Sequence, residues 1–239
     1  MEGFSYTNIY DTKGIEYLVI IAFLILIIPF WRALNRPLKV KEAYREALGA
    51  LTPEVLRIPQ GFHYFRNHLW TNMKKAGQAR IGLNDLLLQI TGEIELHNFR
   101  KPGERVKKGD LIAEVNQGGK HLKISSPISG EVTGVNKRLR ENPGVLLDDP
   151  YGKGWIYSMK PDDWDKDTEV SLPADKAKDW SEEELSRLKD FVAGSLSKYS
   201  PEESKVVLQE GGELVQYPLS TLPGEAWTDF EGLFLKDKV

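Results

Sequence analysis

The chain contains no cysteine. That absence excludes disulfides, thiolate metal sites, cysteine-ligated iron–sulfur clusters and cysteine nucleophiles, so any redox chemistry must come from a partner or an attached group. A basic excess is also missing. Thirty-two Lys and Arg face thirty-five Asp and Glu, for a formal net charge of −3, whereas a surface built to track phosphates normally carries surplus positive charge. No nucleic-acid partner is expected. Histidine is sparse, with four residues (His63, His68, His97, His121) and no HExxH or paired-His spacing, and no metal site is expected. Nor is there a nucleophile–base constellation or a phosphate-binding glycine loop ahead of a helix, so the chain is not expected to be an enzyme.

What is present falls into three segments. The 239 residues, 41% of them apolar, suffice for one well-cored domain with appendages or for two small domains. Near the N-terminus, residues 17–31 read YLVIIAFLILIIPFW without a polar interruption. The reading of this run is a single transmembrane helix over 15–35, with Glu16 and Arg32 snorkelling and Tyr17, Phe30 and Trp31 at the interfaces. Arg32, Arg36, Lys39, Lys41 and Arg45 follow the run and one lysine, Lys13, precedes it. The positive-inside rule then leaves residues 1–14 outside and the C-terminal bulk in the cytoplasm, for a single-pass protein of the inner (cytoplasmic) membrane. Residues 36–60 read as a juxtamembrane amphipathic helix and a linker broken by Pro53 and Pro59.

From about 61 to 168 the rhythm changes to short β-type runs: EIELHNF, LIAEV, KHLKIS, GEVTGVN and WIYSMK. Turn-formers separate them, among them Lys101-Pro102-Gly103, Gln117-Gly118-Gly119 and Asn142-Pro143-Gly144. Such spacing predicts an antiparallel sandwich or barrel. One short helix is expected in RIGLNDLLLQITG, whose apolar residues recur at helical spacing.

Here the residues carry a resemblance. Arg80-Ile81-Gly82 with Asp85 and Gly92, Gly103 with Val106 and Gly109, Pro127 with Ser129-Gly130-Glu131-Val132, and Asp149-Pro150-Tyr151-Gly152 with Gly154-Trp155 resemble the H protein of the glycine cleavage system. The resemblance implies a mainly β, lipoyl-domain-like flattened β-barrel, with Trp155 filling a core. It also implies a lysine in a hairpin tip, preceded by an acid three residues earlier and lying eight residues before the Pro-x-Ser-Gly-Glu run. In that family the lysine carries a lipoyl arm that shuttles an aminomethyl group. In this sequence the eighth residue before Pro127 is Gly119; Lys120 follows one position late, and Gln117 stands where the family has the acid. Because side chains alternate faces along a strand, a one-residue slip cannot be absorbed without a changed turn or a bulge. Lys120 is thus the candidate lipoyl attachment site, and an unmodified, solvated turn lysine is the favoured alternative.

Residues 169–239 read as an α+β extension. Within WSEEELSRLKDFVAGSLSKY, Ser181 is the expected N-cap, Glu184 closes a capping box and Trp180 staples onto Leu185. The acidic run 182–184 reads as a solvated partner of the helix dipole. A hairpin turning at 210–212 and an aromatic tail follow, the tail either packing back on the barrel or docking a partner. Two functional classes survive. One is a non-catalytic, membrane-anchored docking module within a larger respiratory or other electron-transfer complex, whose partners are the bilayer and other protein subunits. The other is a tethered lipoyl carrier serving an oxidoreductase or one-carbon enzyme.

Overall fold

The computed structural model describes residues 9–34, 51–199, 214 and 216–236. It divides into two units, residues 1–47 and 48–239. In the first, α1 (Ile9–Leu34) holds the apolar run as one helix, with Pro29 inside it. Among the described residues, however, no helix is long and apolar enough to cross a membrane. The uninterrupted apolar stretch of α1, residues 17–31, rises about 22 Å at 1.5 Å per residue, less than a hydrocarbon core of about 30 Å. The two turns before them carry Asp11, Lys13 and Glu16. This finding overturns the expected single-pass span, the orientation built on it and the inner-membrane localisation. The expected juxtamembrane helix over 38–50 lies outside the described residues.

The second unit is built on two antiparallel sheets. The larger has the order β1-β2-β3-β9-β8-β5, from β1 (His63–Tyr64), β2 (Leu69–Lys74), β3 (Gln78–Leu83), β9 (Tyr157–Pro161), β8 (Gly130–Val135) and β5 (Arg105–Val106). The smaller has the order β4-β6-β7, from β4 (Glu95–Asn98), β6 (Leu111–Gln117) and β7 (Lys120–Ser125). Every strand pairing is antiparallel. The expected β runs become β4, β6, β7, β8 and β9. Their alternating residues supply a core that includes Val115, Leu122, Ile124, Val132 and Met159, each at most 2% exposed, as a half-buried pleated sheet requires. Close packing dictates one glycine: a Cβ on Gly82 would lie 2.5 Å from the ring of fully buried Trp70.

The single expected helix is α2 (Asp85–Thr91), capped by the Asn84 side chain accepting from Leu87 N. Short helices α3 (Arg138–Glu141), α4 (Val145–Asp148) and α5 (Trp164–Thr168) punctuate the later strands. The Pro-broken linker is fastened to the barrel. Leu51 is buried, and Arg57 donates through Nε (3.0 Å) and Nη2 (2.6 Å) to the buried carboxylate of Asp85.

The C-terminal extension differs from expectation. Its long helix α6 runs Ala174–Tyr199 and begins before Ser181. Ser181 Oγ therefore donates to Ala177 O at 2.7 Å inside the helix and caps nothing. Glu184 is buried, although Glu182 and Glu183 are exposed as a solvated run should be. The hairpin turn at 210–212 lies outside the described residues. Beyond it the chain is helical, as α7 (Pro218–Thr221), α8 (Gly224–Phe230) and a π-helical turn at Glu231–Leu235. Trp227 and Phe230 of α8 are fully buried and join the same core as the barrel, so the aromatic tail packs back on the barrel.

Candidate functional site

The hairpin joining β6 to β7 is the candidate site. Its turn is Gly118-Gly119, with φ of +57° and +83°. Two consecutive positive φ values define a two-residue turn that L side chains resist, and glycines supply them without steric cost. Gln117 and Lys120 are the pair flanking the turn, and Asn116 Oδ1 accepts from Gly119 N at 3.2 Å. The tip is thus two glycines, and Lys120 is the first residue of β7.

That one-residue placement decides where the lysine points. Lys120 shares the inward face of β7 with buried Leu122 and Ile124, while His121 and Lys123 face solvent, following the period-two alternation of a strand. Carried inward at the end of the barrel, its ammonium meets the C-terminal segment. Nζ donates to Ser220 O at 2.6 Å and to Leu222 O at 2.9 Å, and lies 5.6 Å from the centre of the Trp227 ring. These carbonyls end α7, where helical carbonyls lack intrahelical donors and a cation is favoured. Trp227 is fixed in turn by its indole N–H donating to Leu219 O at 2.8 Å. Burial lowers the Lys120 pKa from its ordinary value. The amine is half-buried and engaged, so the solvated-turn reading of Lys120 does not hold.

Two further contacts fasten the same hairpin. Gln117 donates through Nε2 to Thr91 O (2.7 Å) and Glu93 O (2.8 Å), at the end of α2. An acid here would set a carboxylate against two carbonyls, so the departure at this position matches a donor's role. Lys123 N, on the free edge of the smaller sheet, donates to the Glu231 carboxylate at 2.9 Å, so that backbone donor is paired without another strand. A depression of about 450 Å³ beside the turn is lined by Glu93, Glu95, Gln117, Gly118 and Gly119, with Lys120 outside its lining.

A buried cluster that no sequence motif announced joins His68 to Glu184 and Arg187 of α6. His68, fully buried with φ +60°, lies with its ring tilted 39° to that of Trp180, and its Nε2, which has no hydrogen-bond partner, lies 3.5 Å from Glu184 Oε1. Glu184 Oε2 accepts from Arg187 at 2.5 Å. Burial pushes the Glu184 carboxyl up, but the neighbouring His68 and Arg187 outweigh it and hold the group below the usual carboxylate range. Alternation of Glu184 with Leu185 and Leu188 on the apolar face of α6 was the available signal. Trp155, expected to fill a core, is only partly buried, its ring 5.0 Å from the guanidinium of Arg80. Trp70 and Trp227 take the interior positions. Among the described residues no group of three or more His, Cys, Asp or Glu side chains could hold a metal ion.

Known proteins resemble this chain in sequence. A family model described as glycine cleavage H-protein matches residues 62–184. A probable glycine cleavage system H protein of Pyrococcus abyssi is 29% identical over 120 residues, covering 50% of this chain and 89% of the relative. The glycine cleavage system H protein of a Psychrobacter species is 31% identical over 119 residues, covering 50% of this chain and 94% of the relative. A solved H protein from Mycobacterium marinum is 26% identical, with a TM-score of 0.45 over 50% of this chain and 94% of that one. The acceptors of Lys120, in residues 220 and 222, lie outside the matched region. With a family match over half its length that takes in nearly all of its relatives, this chain belongs to the glycine cleavage H-protein family.

Proposed function

We propose that this chain is a non-catalytic member of the H-protein family in which the carrier function has been replaced by a docking role within a larger protein assembly. The observation that carries the reading is the capture of the Lys120 amine between Ser220 O and Leu222 O. Acylation of a lysine requires a free, accessible amine, and this one is turned to the barrel's inner face and covered by a segment outside the family match. Its lowered pKa would by itself favour the neutral, nucleophilic amine; access opposes it. The Gly118-Gly119 tip presents no side chain to a modifying enzyme.

The second reading, a lipoyl carrier armed on Lys120, is favoured by one observation: this hairpin belongs to a family whose carriers bear their lysine at the equivalent turn. In that case the C-terminal segment must leave before Lys120 is modified. Intact-mass measurement of the natively expressed protein separates the readings. The docking role predicts the unmodified mass, with Lys120→Ala still recovered in its native assembly. A lipoyl increment on the Lys120 peptide, or activity abolished in Lys120→Ala with assembly intact, establishes the carrier instead.

A further inference from the structure

On a different part of the barrel, three segments distant in sequence bring four cations around one depression of about 540 Å³. Arg80 comes from β3, Lys137 and Arg138 from the end of β8 and the start of α3, and Lys153 from the loop before β9. Among the described residues none of the four side chains forms an ion pair, the recorded pairs involving other cations. Gathering unpaired like charges is unfavourable in isolation, and the chain as a whole is acidic, at −3. The cluster runs against the charge of its own molecule.

The cluster is also preformed. Buried Asn136 donates through Nδ2 to Lys153 O (2.8 Å) and Trp155 O (2.7 Å), and its Oδ1 accepts from Arg138 N (3.2 Å). One side chain therefore binds the segment carrying Lys137 and Arg138 to the segment carrying Lys153 and Trp155. The partly buried Trp155 ring forms an apolar wall beneath the Arg80 guanidinium, the amphipathic anchor typical of protein interfaces.

From this geometry we infer that the Arg80–Lys137–Arg138–Lys153 depression is the binding surface for an acidic polypeptide segment of a partner protein. Charge complementarity selects an anion, and the loop chemistry selects carboxylates over phosphate. Compact phosphate sites use convergent backbone N–H groups, but here the amides of Gly152 and Lys153 already donate to the Asp149 carboxylate at 2.9 and 3.0 Å. What remains is an open rim of long, flexible side chains beside an aromatic wall, suited to successive Asp and Glu side chains on an extended segment. The inference rests on the docking-module reading, but its test is read by direct binding and is independent of the state of Lys120.

The test measures fluorescence anisotropy of a labelled hexaglutamate peptide titrated with the full-length chain. Binding that weakens with added salt is expected. Lys137→Glu with Arg138→Glu should lower affinity at least about tenfold, since each reversal removes an attraction and adds a repulsion. Lys176→Glu with Lys189→Glu, an equal change of net charge on exposed positions of α6, should lower it less than about threefold by the same reasoning. Arg80→Gln, on a separate element, should weaken binding measurably and guards against a local folding fault near α3. Undetectable binding, equal losses in the two double variants, or tighter binding of tripolyphosphate or an oligothymidylate at the same residues would overturn the inference.

Discussion

At the scale of the residue, the hairpin shows how a single position changes a side chain's task. Lys120 has the strand face of a core position but is only partly buried at the barrel's end, and its ammonium caps a helix terminus in place of a fully water-exposed tip. Removing it therefore costs more than loss of a surface lysine. Two charge-assisted hydrogen bonds are lost, and because the group is only partly buried, the expected cost of Lys120→Ala is about 1–2 kcal/mol. Gly119→Val should cost at least as much, about 1–2 kcal/mol for forcing a β-branched residue to positive φ. Gln117→Glu exchanges a donor for an anion facing two carbonyls and should cost about 1–3 kcal/mol. Urea midpoints of the three variants at neutral pH check the set. A midpoint for Lys120→Ala equal to that of the parent would show that its contacts to Ser220 and Leu222 contribute nothing.

At the scale of the element, α6 is held to the barrel by an apolar stripe and by one buried carboxylate. Leu185, Leu188, Val192 and Leu196 are all at most 7% exposed. Among them Glu184 faces His68 of the barrel and Arg187 of its own helix, which keep its carboxyl below the usual range. The linkage sign follows from that direction. A carboxyl whose folded pKa is depressed binds fewer protons folded than unfolded, so its stabilisation is fully present above the ordinary Glu value of about 4.3 and is lost as pH falls through the lower folded value. Glu184→Gln should consequently destabilise the protein at pH 7, and the gap to the parent should close on acidification below about pH 4. Thermal midpoints of both proteins across the acid range test this, and a gap that stays constant or widens towards low pH would show that the assignment is wrong.

At the scale of the whole molecule, the larger of two core clusters in residues 48–239 joins linker, barrel and C-terminal helices, running from Leu51 through the sheets to Phe234 and Leu235. Elements that share a core unfold together. Residues 48–239, expressed alone, should show coincident transitions by far-ultraviolet circular dichroism and by tryptophan fluorescence. An early loss of fluorescence would mean that α6 to α8 form a separately melting layer.

The barrel was legible in the sequence because its determinants are local. Alternating apolar residues fix strand faces, and glycines such as Gly118 and Gly119 mark turns that other residues resist; Asn84 capping α2 is likewise a neighbour interaction. The sequence also located the anomaly in the hairpin, since a count from Pro127 is enough to show that Lys120 sits one position late. It misjudged α1, where the apolar run was extended past the charges at Glu16 and Arg32 to reach the length of a span, although no described helix is long and apolar enough to cross a membrane. It misplaced the start of α6 because Ser181 and Glu184 form a capping pattern that packing overrode, turning Glu184 to His68. Where the Lys120 side chain points and what it contacts is visible only in the tertiary structure. Its partners are the backbone carbonyls of Ser220 and Leu222, a hundred residues away; every residue carries a carbonyl, so nothing in their side chains marks them as acceptors until the fold brings them to the barrel's end.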